Sequence, residues 1–204
     1  MPPSAGHALV YHSKLERVLL VNAGLGAEDD SAALAQPTKL WAWDGSAWTV
    51  LDAKGPPARN MSGVAYDEAR DVLVLHGGAG GGKHFGDTWE WSPASGWRQI
   101  QGPGPGIRHH AHMTYDPIRR ECVLFGGIAE KINEFLDDVW TWNGSTWRQI
   151  RAAGPGGRVH HAMTFDPARG QVVLFGGGGD HGLYRDTWEL GRQGWRKVQE
   201  QTSP

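Results

Sequence analysis

A single cysteine, Cys122, stands among 204 residues, which excludes an internal disulfide framework and a zinc site built on cysteines. An excess of charge of either sign is missing too. Twenty Lys and Arg face 22 Asp and Glu, so nothing electrostatic favours nucleic acid or an anionic membrane surface as a partner. No run of ~18 apolar residues occurs that would span a bilayer. The opening Met-Pro-Pro-Ser-Ala-Gly-His lacks the basic and then apolar order of a secretion signal. The expectation is a soluble, cytoplasmic chain with neither nucleic acid nor membrane as partner. Sustained apolar periodicity of 3.6 residues is scarce as well, which argues against helices.

What is abundant is turn chemistry and tryptophan. Thirty Gly and 12 Pro would suit a linker, but 11 Trp supply far more apolar mass than a disordered chain carries. The two are reconciled by a repeat. Arg59-Asn-Met-Ser-Gly-Val-Ala-Tyr-Asp67 recurs as Arg108-His-His-Ala-His-Met-Thr-Tyr-Asp116 and as Arg158-Val-His-His-Ala-Met-Thr-Phe-Asp166. Each copy continues into an apolar run closed by paired glycines, Gly77-Gly78, Gly126-Gly127 and Gly176-Gly177. Then come Asp87-Thr-Trp89, Asp138-Val-Trp140 and Asp186-Thr-Trp188, followed by a lone Trp97, Trp147 or Trp195. A weaker first copy runs through His7 to Tyr11, Val18 to Gly24, Leu40 to Trp43 and Trp48. The segments between turn clusters are four to seven residues long and alternate with period two where tryptophans are paired, so each unit is predicted to be a four-stranded antiparallel meander. One such unit cannot bury both of its faces alone, and copies must stack.

The Arg, a His three residues on, Tyr/Phe-Asp, diglycine and Asp-x-Trp pattern resembles the kelch repeat, in the bacterial style also found in the central domain of galactose-oxidase-like proteins. The resemblance covers most of the chain and implies an all-β fold, a β-propeller. Four kelch-type blades fall at about residues 5–52, 57–101, 106–151 and 156–198 of one domain, with the first strand of each lining a central channel. Four is few for that family. Strand order stays in phase throughout, so the ring closes without strand exchange, or a second chain completes a larger ring as a homodimer, or the chain is a piece of a longer protein. The family implies no activity.

Nine of the ten histidines map to one end of the units, with only His12 at the other. His161, and His7 in the weak copy, hold the repeat's own histidine position. His110 and His160 share a slot six residues before the Asp, and His112 lies four before it. On a continuous strand these three share a face opposite to His161 and are candidate ligands for copper, iron or zinc. Arg59, Arg108 and Arg158 recur on the same rim. With His161, His84 and His181 they are candidates to bind a protein or a small anionic ligand. The irregular loops add Asp30, Glu130 and Glu134 as a candidate base or fourth ligand. Two functions follow: a propeller that binds a ligand or protein partner at its histidine- and arginine-rich rim, or a small metal-dependent enzyme, oxidative or lyase-type, at the same place.

Overall fold

The computed structural model describes residues 6–22, 37–129 and 134–200, and Asp30 and Glu130 lie outside them. Among the described residues there is no helix, and hence none long and apolar enough to cross a membrane. The strands are β1 (Ala8–His12), β2 (Arg17–Asn22), β3 (Lys39–Trp43), β4 (Trp48–Asp52), β5 (Gly63–Asp67), β6 (Val72–His76), β7 (Ala79–Gly80), β8 (Lys83–His84), β9 (Thr88–Ser92), β10 (Gly96–Ile100), β11 (His112–Asp116), β12 (Glu121–Phe125), β13 (Val139–Trp142), β14 (Trp147–Ile150), β15 (Ala162–Asp166), β16 (Gln171–Phe175), β17 (Gly178–Gly179), β18 (Gly182–Leu183), β19 (Asp186–Gly191) and β20 (Gly194–Glu200). They form four antiparallel four-stranded sheets, β1-β2-β3-β4, β5-β6-β9-β10, β11-β12-β13-β14 and β15-β16-β19-β20, called sheets 1 to 4 below. Two short ribbons, β7-β8 and β17-β18, grow from the glycine-rich loops of sheets 2 and 4.

Local chemistry closes each hairpin. Asp116 Oδ1 accepts the N–H groups of Ile118 and Arg119 at 2.9 and 3.0 Å, and Asp166 Oδ1 accepts those of Ala168 and Arg169 at 2.9 and 3.2 Å. These are Asx turns, in which a short carboxylate side chain stands in for a backbone acceptor. Sheet 1 has His12 at this place, and its Nδ1 takes the N–H of Leu15 at 3.3 Å. Between the third and fourth strands, Asp44 and Asn143 hold the turn in the same way.

The sheets bury one another through three cores. Leu19, Val21, Leu40 and Ala42 of sheet 1 meet Val64, Tyr66, Leu73, Leu75 and Trp91 of sheet 2. Ala65 and Val74 of sheet 2 meet Met113, Cys122, Leu124 and Trp142 of sheet 3. Val123, Phe125 and Val139 of sheet 3 meet Met163, Val172, Leu174 and Leu190 of sheet 4. Tryptophan N–H groups add polar ties across the seams: Trp91 Nε1 donates to Asp52 Oδ2 at 3.0 Å, Trp142 Nε1 to Glu90 Oε1 at 2.8 Å and Trp147 Nε1 to Thr88 Oγ1 at 2.9 Å. The first strands β1, β5, β11 and β15 thus run side by side in that order.

The diglycines are where one sheet seats on the next. Gly77 has φ +70°, and a Cβ there would stand 2.3 Å from the backbone oxygen of Arg108 in sheet 3. Gly176 has nearly the same φ, +68°, but nothing nearer than 3.4 Å. Gly77→Ala is therefore expected to destabilise the protein by more than ~2 kcal/mol, left-handed strain plus a displaced backbone, against about 1 kcal/mol for Gly176→Ala. Urea unfolding of the two variants checks this, and equal losses would contradict it.

Candidate functional site

A cleft of about 670 Å³ opens where the first strands of all four sheets converge. Its walls carry His7, Tyr11, Tyr66, His110, His112, Tyr115, His160 and His161. Immediately before each first strand the chain makes the same unusual step. Gly6, Met61, His110 and His160 all have φ between +56° and +64°, a region that side chains enter reluctantly. The backbone secures it from sheet to sheet, since the N–H of Met61 donates to Gly6 O at 2.7 Å and that of His110 to Met61 O at 2.8 Å.

This step reorganises the histidines. β11 begins at His112 and β15 at Ala162, so His110 and His160 precede their strands, and the alternation that would have put them on one face with His112 does not reach them. His110 and His160 do come together, ring centroids 4.8 Å apart. His112 instead faces His161 at 5.9 Å. His109, which strand alternation assigns to the opposite side, is swung against His110, their Nδ1 atoms 2.5 Å apart, and its ring lies 4.6 Å from that of His84. The result is a row of imidazoles, His84, His109, His110 and His160, of which the last two line the cleft, and a separate pair, His112 and His161, on its wall. The adjacency of His109 and His110 was the visible signal for this row. Only the left-handed backbone between them turns it into a contact.

Loss of solvation sets the charge of these groups. Desolvation, with the neighbouring His109 and His160, pushes His110 down to about 4. Desolvation is also the main cause for His161, pushed down to about 3, where His112 and Arg158 add to it. His109 and His112 are lowered in the same direction by desolvation. At neutral pH these four rings are uncharged, each with one nitrogen that donates and one that accepts. His161 is buried, and neither ring nitrogen has a hydrogen-bond partner. Phe125 lies 5.5 Å from it on one side.

The arginines lie elsewhere. Arg59, Arg108 and Arg158 are buried inside sheets 2, 3 and 4, and each grips the aspartate 28 or 30 residues on in its own repeat. Arg108 Nη1 and Nη2 donate to Asp138 Oδ1 and Oδ2 at 2.7 and 2.9 Å, and Arg158 does the same to Asp186 at 2.7 and 3.2 Å. Arg59 grips Asp87 through both nitrogens. The diglycine carbonyls of Gly77, Gly126 and Gly176 take a further N–H each. Occupied in this way and absent from the cleft wall, the guanidinium groups hold the repeats together and leave no clamp for an anion. His181 is exposed on the turn between β17 and β18, outside the cleft. Glu134 is exposed, and its carbonyl accepts the N–H of Ala129 at 3.1 Å. Among the described residues no group of three or more His, Cys, Asp or Glu side chains is placed to hold a metal ion. Cys122 is buried in the second core, with its thiol pushed well up by burial, and takes no part in the cleft.

Compared with known protein families and curated proteins, the chain matches no family model and no curated relative.

Proposed function

We propose that the protein is a kelch-type propeller that serves as a binding module, and that its cleft takes a small ligand through uncharged imidazoles. The observation that carries this reading is His161. A buried imidazole with both nitrogens unpartnered costs about 1–3 kcal/mol per group left unsatisfied, and this ring stands on the wall of a 670 Å³ cleft. A ligand that draws the ring toward the cleft and offers one acceptor and one donor removes that cost. With the arginines turned inward, the selectivity is for hydrogen-bonding groups and ring surfaces, which Tyr115 extends along the same wall.

Proton–carbon correlation spectra of the histidine rings, recorded with a panel of neutral hydrogen-bonding fragments, test this. Binders are expected to shift His161 and His112 and leave His76 unmoved, and His161→Phe is expected to abolish those shifts with the melting temperature retained. Fragment shifts confined to exposed His181, or none at all, would sink the proposal.

A metal-dependent enzyme with His110, His112 and His160 as ligands draws on the same cleft, and the uncharged state of His110 and His112 favours it. It ranks second because His112 turns to His161 and away from the other two. Stoichiometric zinc uptake that is lost in the His110→Ala, His112→Ala double variant would establish that reading instead.

A further inference from the structure

The three cores join sheet 1 to 2, 2 to 3 and 3 to 4, and each is made by the forward face of one sheet and the rear face of the next. Two faces of the same kind are left, and among the described residues their outer parts are open, although Leu20 and Glu189 at their centres are buried. On the rear faces, Tyr66 of sheet 2 is 7% exposed, whereas Tyr11 of sheet 1 is 59% exposed. On the forward faces, Phe125 of sheet 3 is fully buried, whereas Phe175 of sheet 4 is 46% exposed. Of the nine large apolar side chains that stand out in solvent among the described residues, Leu9, Tyr11, Val50 and Leu51 belong to sheet 1 and Phe175 and Val198 to sheet 4, while Leu183 lies on the β17-β18 ribbon and Ile107 and Ile118 lie elsewhere. Apolar surface of this extent on two sheet faces marks an interaction site.

The chemistry of both faces says what fits them. At the seam between sheets 2 and 3, Glu90 and Thr88 accept the indole N–H groups of Trp142 and Trp147, and His76 packs 5.3 Å from Trp147. At the seam between sheets 3 and 4, Phe125 packs 5.4 Å from Trp195 and against His161. By strand register, Glu189, Thr187 and Phe175 hold in sheet 4 the places of Glu90, Thr88 and His76. Trp43 and Trp48 hold in sheet 1 the places of Trp142 and Trp147, and His7 holds that of His161. Both halves of the seam are therefore present on one chain, at opposite ends, each without its counterpart among the described residues.

We infer that a second copy of the chain covers both faces. Sheet 4 of each copy seats on sheet 1 of the other, with Phe175 against Trp48 and His7 of the second copy and Glu189 and Thr187 facing its Trp43 and Trp48. The contact is head-to-tail, and a two-fold axis closes it into one ring of eight sheets with two identical seams. The ring continues the interface that the chain already makes three times within itself.

Light scattering on the eluting full chain tests this with three variants of exposed residues, Phe175→Glu, Tyr11→Glu and, as a control remote from both faces, Ile118→Glu. The expected mass is twice the 22.3 kDa of the chain for the wild type and for Ile118→Glu, halved in both Phe175→Glu and Tyr11→Glu. Near-ultraviolet circular dichroism verifies that the tryptophan packing within each chain persists. A wild type of single-chain mass overturns the proposal, whether because the chain closes on itself or because further sheets of a longer chain cover these faces. A dimer that only one of the two face variants dissociates also overturns it, since that pattern belongs to a like-with-like contact.

Discussion

Lowering the pH from 7 to about 4.5 is expected to unfold the protein, and histidines more than carboxylates are expected to be the cause. Three rings dominate. His76 is wholly buried, its Nδ1 and Nε2 bonded to Thr88 Oγ1 at 3.0 Å and to Gly106 O at 3.1 Å, and desolvation pushes it down to about 3. His161 is likewise at about 3 and His110 at about 4. In the unfolded chain each titrates near 6.5. Between these values the unfolded state binds more protons than the folded one, so stability is fully present above pH 6.5 and is lost as the pH falls toward 4. Each ring contributes a slope of up to about 1.4 kcal/mol per pH unit, about 4 kcal/mol per unit for the three together. Two units therefore remove an amount comparable to the whole stability of a domain, about 5–15 kcal/mol. The pairs of Arg59, Arg108 and Arg158 with their aspartates, whose carboxyls are lowered by these contacts, weaken only at lower pH. Urea unfolding at pH 7, 6 and 5 measures the slope. His76→Phe places at this position the residue that sheets 3 and 4 carry at theirs and should reduce the slope by about a third. A stability that stays flat from pH 7 to 5 would rule this account out.

Replacing Arg108 by Met should cost about 3–5 kcal/mol, the range for removing one partner of a buried ion pair. The cost comes less from the lost attraction than from what remains. Asp138 keeps its negative charge in a largely buried place, with the indole N–H of Trp140, 2.6 Å away, and its own backbone N–H left to stabilise it. The carbonyls of Gly126 and Pro105 lose their donors as well. The double variant Arg108→Met, Asp138→Asn should recover part of the loss, because it removes the stranded charge. Chemical denaturation of the single and double variants decides. A single-variant loss under 1 kcal/mol would mean that the pair is open to water and dispensable.

Much of this architecture is legible from residue spacing. The fifty-residue period and the four strands per unit follow from turn chemistry that acts within a few residues. The paired tryptophans follow from strand alternation. The glycine-rich stretches after Gly77 and Gly176 read as loops, yet they fold into the β7-β8 and β17-β18 ribbons, since glycine disfavours strands locally and only pairing across the turn reveals them. The arginines illustrate a second limit. Their recurrence with the repeat is equally consistent with a clamp for ligands and with an internal tie, and the decision rests on which way a long side chain turns. At the cleft the critical fact was a backbone angle. Nothing in the letters His-His announces φ +58° at His110, because a left-handed non-glycine residue is held by its surroundings, here by hydrogen bonds from the neighbouring sheet.

That left-handed step has a further consequence, for what sequence change can do to the molecule. It sits just outside the packed first strand, in three repeats just after the buried arginine, and at Met61 and His110 its backbone is fixed by bonds that any amino acid except proline can make. The four repeats fill it with Gly6, Met61, His110 and His160, a hydrogen atom, a thioether and two imidazoles, on one and the same scaffold. A substitution there alters the chemistry offered to the cleft and leaves the arginine ties and the three cores untouched. The fold thus divides its labour within a few consecutive residues, so that residues tolerant of a left-handed backbone can exchange at these positions while the arginine ties and the three cores stay as they are.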